Sequence, residues 1–138
     1  MTQPYDVLNA SVQFQGWLTA LKAQAMLQTH NQSQAMFRSV IHEIRRHMTS
    51  SQVLAFADAL PPLPRGIFLE GWRPADPVPG TSPEELLAEV VKSLSPHHSP
   101  PDSIVADVFA VLSERSERHK ARAMQAQLPE ALRPLWPT

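Results

Sequence analysis

A chain of 138 residues is long enough for one compact domain with a buried core. Its 43% apolar and 18% charged residues are those of a globular protein, and a formal net charge of −1 gives no field favouring nucleic acid or an anionic membrane. Cysteine is absent, which excludes disulfides, thiol nucleophiles and thiolate metal sites together and fits a cytoplasmic setting.

The opening MTQPYDVLNASVQFQGWL has no basic region and no unbroken apolar run, so neither a signal peptide nor a membrane span is expected. From about Asp6 to Thr29, Leu8, Val12, Phe14, Trp17, Leu18, Leu21 and Ala25 recur mainly at three- and four-residue steps, predicting a first amphipathic helix. Asn31 with Gln34 resembles a capping box for a second helix, striped by Met36, Phe37, Val40, Ile41, Ile44 and Met48. Thr49 with Gln52 repeats the signal and opens a short third helix holding Val53, Leu54, Ala57 and Leu60. Pro61, Pro62 and Pro64 are then expected to stop regular structure, since proline lacks the amide donor.

From Gly71 to Pro83 four prolines and two glycines predict a linker or wrapped loop. Ser82-Pro83-Glu84-Glu85 is the best helix start in the chain: a capping serine, a proline suited to the first turn, and Glu85 to complete the box. Leu86, Leu87, Val90, Val91 and Leu94 form that helix's buried face. A fifth helix carries Ile104, Val105, Val108, Phe109 and Leu112, and a sixth runs from about Ser116 to Leu128, ended by Pro129. No stretch alternates apolar and polar residues as a strand would.

The chain also resembles itself at a fixed offset. LPPLPRGIF from Leu60 aligns with LPEALRPLW from Leu128, an offset of 68 (128 − 60), pairing Pro61 with Pro129, Arg65 with Arg133 and Phe68 with Trp136. Carried backwards, the same offset pairs Val40 with Val108, Ile41 with Phe109, Ile44 with Leu112 and Phe56 with Met124. The expected fold is therefore all-α: about six helices in two tandem three-helix units packed as one bundle-like domain over 1–138. Unit one covers about 6–70, the linker 71–83 and unit two 84–138, with only the first helix of each unit aligning loosely.

Two segments, LPPLPRGIFLEGWRP and QLPEALRPLWP, resemble a bacterial family, domain of unknown function 2267, over nearly the whole chain. The resemblance implies an α-helical fold and carries over no activity, cofactor or catalytic set. Phe68-Leu69 stands where two tyrosines are common in that family, so no role resting on those phenols operates here.

The best candidate for function is the segment Arg65 to Arg73, where two arginines, Glu70 and Trp72 lie within nine residues and glycines permit close backbone approach. Arg65 or Arg73 could clamp an anion and Trp72 could form a partner-binding surface. The competing structural reading has Arg65 donating to helix-end carbonyls and Trp72 pinning the linker to the core. Arg65 recurs as Arg133, which favours architecture for it; Glu70, Trp72 and Arg73 have no counterpart. His42 and His47 suggest a metalloprotease motif, but they stand five apart rather than four, about 140° around the helix, and read as exposed-face residues. His97 and His98 beside Asp102 lack a third ligand, and Arg115, Arg118, Lys120 and Arg122 are interleaved with Glu114 and Glu117 as on a solvated face. No phosphate loop or nucleophile elbow is present.

These observations predict no cofactor, no metal and no catalytic set. The expected protein is a non-enzymatic interaction or regulatory module whose partner is another protein or a second copy of itself, with candidate binding residues Arg65, Glu70, Trp72 and Arg73. The alternative is a small-molecule (anion) binder or minor enzyme with a pocket between the two units.

Overall fold

The computed structural model describes residues 5–138 and is all-helical over them. Seven α-helices run α1 Tyr5–Gln24, α2 His30–Arg45, α3 Ser50–Ala59, α4 Pro62–Leu69, α5 Pro83–Leu94, α6 Ile104–Glu114 and α7 Arg118–Gln127, followed by a 3₁₀ helix at Glu130–Leu135. That exceeds the expected six, because both LP segments are helical. Pro62 and Pro64 start α4 instead of stopping the chain. The first helical positions need no amide donor, and proline's fixed φ is already helical, so the Arg65 amide makes the first bond, to the Pro61 carbonyl at 2.9 Å.

Caps decide the other boundaries. At α2 the box lies two residues earlier than expected: Thr29 Oγ1 accepts from the Gln32 amide at 3.1 Å and the Gln32 side chain accepts from the Thr29 amide at 3.2 Å. At α3 the box is Thr49 with Gln52, as the sequence indicated. Ser82 caps α5 by accepting from the Glu85 amide at 3.1 Å, without the return bond that closes the other two boxes. α1 ends earlier than Thr29 because Met26 takes φ 56°, the left-handed position where glycine usually marks a helix end, and no glycine flags it in the sequence.

The core runs through the whole molecule. Phe37, Val40, Ile41 and Ile44 of α2 and Val108, Phe109 and Leu112 of α6 are buried at its centre. α3 packs chiefly on α7 and α2 chiefly on α5, while α1 packs on both α2 and α6. Phe56 and Phe68 meet with ring centroids 4.9 Å apart, and Phe109 and Trp136 at 5.5 Å. Leu8, Val12, Leu54 and Val91, expected in the buried stripes, are exposed instead. In α1, α3 and α5 the buried face is narrower than the apolar composition.

Two small contacts tie α1 and α5 to helices distant in the chain. The Gln24 side-chain amide of α1 donates to the buried Asp107 carboxylate of α6 at 3.3 Å, and Ser93 of α5 meets Ser39 of α2 hydroxyl to hydroxyl. Helix-end carbonyls are met by arginines. Arg65 donates to the carbonyls of Ala57 at 2.9 Å, Leu60 at 2.7 Å and Asp58 at 3.3 Å; Arg133 donates to those of Leu128 at 3.2 Å and Ala126 at 3.4 Å.

Candidate functional site

The segment 70–82 crosses the surface as an extended strap between α4 and α5, and the end of α2 holds it. Arg45 donates one guanidinium nitrogen to the Phe68 carbonyl at 2.6 Å and the Glu70 carbonyl at 2.7 Å, closing the end of α4. The Arg46 carbonyl accepts from the Val78 amide at 2.9 Å. The His47 ring bonds the Val78 carbonyl through Nδ1 at 2.9 Å and faces the Glu89 carboxylate through Nε2 at 3.2 Å, linking the strap to α5. Three consecutive residues, Arg45 to His47, thus hold the start of the strap and its Val78. Gly71 makes the turn off α4 possible with φ 67°, and the Trp72 amide bonds back to the Leu69 carbonyl at 3.0 Å.

Both histidines of the false metalloprotease motif therefore need correcting. His47 has a side chain only 3% exposed. His42 is half-buried and donates through Nε2 to the Ile67 carbonyl at 2.6 Å. Burial lowers the His42 pKa from its ordinary 6.5, the cationic Arg45 and Arg38 push the same way, and the Ile67 bond and Glu70 oppose them. Helical geometry shows which residues share a face, but not that this face meets the carbonyl-rich end of another helix.

Beneath the strap lies a cleft of about 230 Å³. Arg45, Arg46, Trp72, Arg73, Asp76 and Val78 are among the residues that line it. Its charged groups are three guanidiniums and one carboxylate, so the cleft is cationic. They are not equally available. Burial lowers the pKa of Arg45, whose guanidinium is committed to backbone carbonyls, whereas a hydrogen bond with Glu43 at 2.9 Å raises that of Arg46. Arg73 is exposed and, among the described residues, has no hydrogen bond or ion pair. Trp72 is half-buried: one part packs on the core and another forms the wall of the cleft.

Of the four residues singled out in the sequence, the structure brings Trp72 and Arg73 to this cleft and leaves the other two outside it. Arg65 spends its donors on the end of α3. Glu70 lies 57% exposed and makes a loose contact with Arg38, 3.4 Å from Oε1 to Nε. The glycine at 66 serves no close approach, since a Cβ there would meet nothing within 4 Å. The missed contributors are Arg45 and Arg46, and their signal lay in the basic end of the second helix. His97, His98 and Asp102 form no cluster of three potential metal ligands, and none occurs elsewhere among the described residues. None of the described helices is long and apolar enough to cross a membrane.

The molecule is thus an all-α protein with a guanidinium-lined cleft under a proline-rich strap. The chain belongs to the family DUF2267, described as an uncharacterized conserved protein, whose model matches residues 14–135. The resemblance carried by the two LP segments and the helical fold it implied are both borne out. Among curated proteins, none matches the chain.

Proposed function

We propose that this protein is a cytoplasmic interaction module built from two tandem units, and that its strap cleft receives an acidic segment of a partner protein. The observation that carries the binding role is the uncommitted Arg73 beside the half-exposed indole of Trp72, in a cleft whose other cations are already anchored. A planar guanidinium suits a carboxylate bidentately, and an adjacent indole supplies apolar area without much loss of side-chain freedom. The volume favours a side chain over a larger ligand, because small-molecule pockets usually span about 300–1,000 Å³.

The tandem reading rests on matched positions. α3 and α7 are both ten residues long and start 68 apart (118 − 50). At that offset Arg65 and Arg133 address equivalent carbonyls, Asp58 with Ala126 and Leu60 with Leu128. The first helices match at 69 (86 − 17): Trp17 with Leu86, Leu21 with Val90 and Ala25 with Leu94, all buried. In that register the Gln24–Asp107 and Ser93–Ser39 contacts are equivalent, each joining the first helix of one unit to the second helix of the other. The units would then interleave around a pseudo-two-fold axis, which leaves the unduplicated strap as the place where the molecule departs from symmetry.

Calorimetric titration with a glutamate-rich peptide and a lysine-rich peptide tests the binding role. The expected result is saturable binding of the acidic peptide that weakens with salt, and its loss in Arg73→Glu with unchanged unfolding temperature. Equal binding by Arg73→Glu, or binding of the basic peptide alone, would remove the proposal.

A further inference from the structure

A second cleft, of about 240 Å³, lies between α5, α6 and the 3₁₀ helix, away from the strap. Its apolar walls are Pro83, Leu87, Val105 and Leu135, and Glu84 and Asp102 stand at its rim. The tandem register, on which this comparison rests, gives each wall residue a counterpart in unit one. Pro83 corresponds to Phe14 and Leu87 to Leu18 at an offset of 69 (83 − 14), while Val105 corresponds to Phe37 and Leu135 to Ile67 at 68 (105 − 37). In unit one the corresponding space is filled: Phe14 and Phe37 pack edge to face with centroids 6.2 Å apart, and both rings are buried. In that register the smaller Pro83 and Val105 stand in unit two at the positions of the two rings, and they line an open cleft. The wall residues Leu87 and Leu135 remain half-exposed.

We propose that this cleft is a docking pocket for one aromatic side chain carried on a basic segment of a partner protein. Its size matches a single anchoring residue, and protein interfaces concentrate their affinity in such aromatic anchors seated in preformed pockets. The two carboxylates at the rim, with no basic residue lining the cleft, select lysine or arginine beside that anchor. Unit one shows what kind of group the space accepts: the edge of a phenyl ring.

The test uses the full-length ¹⁵N-labelled protein and two capped peptides, Lys-Lys-Phe-Lys-Lys and Asp-Asp-Phe-Asp-Asp. The basic peptide is expected to shift the amides of Leu87, Val105 and Leu135 saturably, and the acidic peptide to leave them unmoved. Val105→Phe places in unit two the ring that unit one carries at Phe37; it is expected to keep or raise the unfolding temperature and to abolish those shifts. Glu84→Gln combined with Asp102→Asn leaves the walls intact and is expected to weaken basic-peptide binding about threefold. Shifts that persist in Val105→Phe, that appear equally with the acidic peptide, or that never appear would overturn the docking pocket. Unfolding of Val105→Phe would instead count against the equivalence with Phe37, and the carboxylate double variant would then decide the site by itself.

Discussion

Replacing Arg65 by methionine removes the three hydrogen bonds to the end of α3 while keeping most of the apolar stem that covers it. Bonds from a charged donor contribute about 1.5–3 kcal/mol each when well shielded, and a carbonyl that water can reach after the change recovers part of that. Two of these bonds, at 2.9 and 2.7 Å, are part-buried and the third, at 3.3 Å, is exposed, so the net loss is about 2 kcal/mol. In a domain of this size that lowers the unfolding temperature by about 6–10 °C and the urea midpoint by about 1 M. Arg133→Met breaks the corresponding bonds, which are longer at 3.2 and 3.4 Å, and is expected to destabilise by about 1 kcal/mol. Urea unfolding followed by circular dichroism reads both. The acidic-peptide titration, run beside it, should give wild-type affinity, because neither residue lines the strap cleft. A loss below about 0.5 kcal/mol for Arg65→Met, or reduced affinity at unchanged stability, would refute the division between an architectural Arg65 and a binding Arg73.

Thr29→Ala and Thr49→Ala each remove a capping box and should lower stability by about 1 kcal/mol, whereas Asn31→Ala, inside α2, should change it by less than about 0.5 kcal/mol in the same urea assay. Met26→Gly relieves a left-handed residue at φ 56° and is expected to stabilise by about 1 kcal/mol; Gly66→Ala, in a helix with open space at its Cβ, should add about 0.5–1 kcal/mol. A fall in thermal midpoint for either would contradict the backbone assignments. Because the folded pKa of His42 lies below 6.5, the unfolded chain binds its proton first, so this residue makes stability fall as the pH drops from 6.5 toward the folded value. His42→Gln should therefore flatten the pH dependence of the urea midpoint below neutrality, and an unchanged slope would show that the ring is not buried as described.

What the sequence made legible was the periodic part of the fold. The stripes on α2 and α6 and the Thr49 and Ser82 caps rest on local spacing, and all four recur in the structure. The misreadings have physical causes. The prolines after Leu60 carry opposite meanings at a helix start and in a helix interior, and the chain alone does not say which applies. Val12 and Leu54 look like core residues by composition, yet exposure depends on how widely the neighbouring helices cover each face. The site was half legible. Trp72 and Arg73 stood out as unduplicated chemistry, but Arg45 and Arg46 reach them from the end of α2 across more than twenty intervening residues. Nothing in the spacing of His42-Glu43-Ile44-Arg45-Arg46-His47 announces that it anchors a strap.

The most direct measurement is the indole region of a ¹H–¹⁵N spectrum during titration with the acidic peptide. The chain has three tryptophans; Trp17 is 3% and Trp136 5% exposed, while Trp72 lies half-exposed in the cleft wall. One indole signal, assigned to Trp72 by its loss in Trp72→Phe, is expected to shift saturably while the other two stay fixed. A stationary Trp72 signal with the peptide demonstrably bound would contradict the strap cleft as the recognition site.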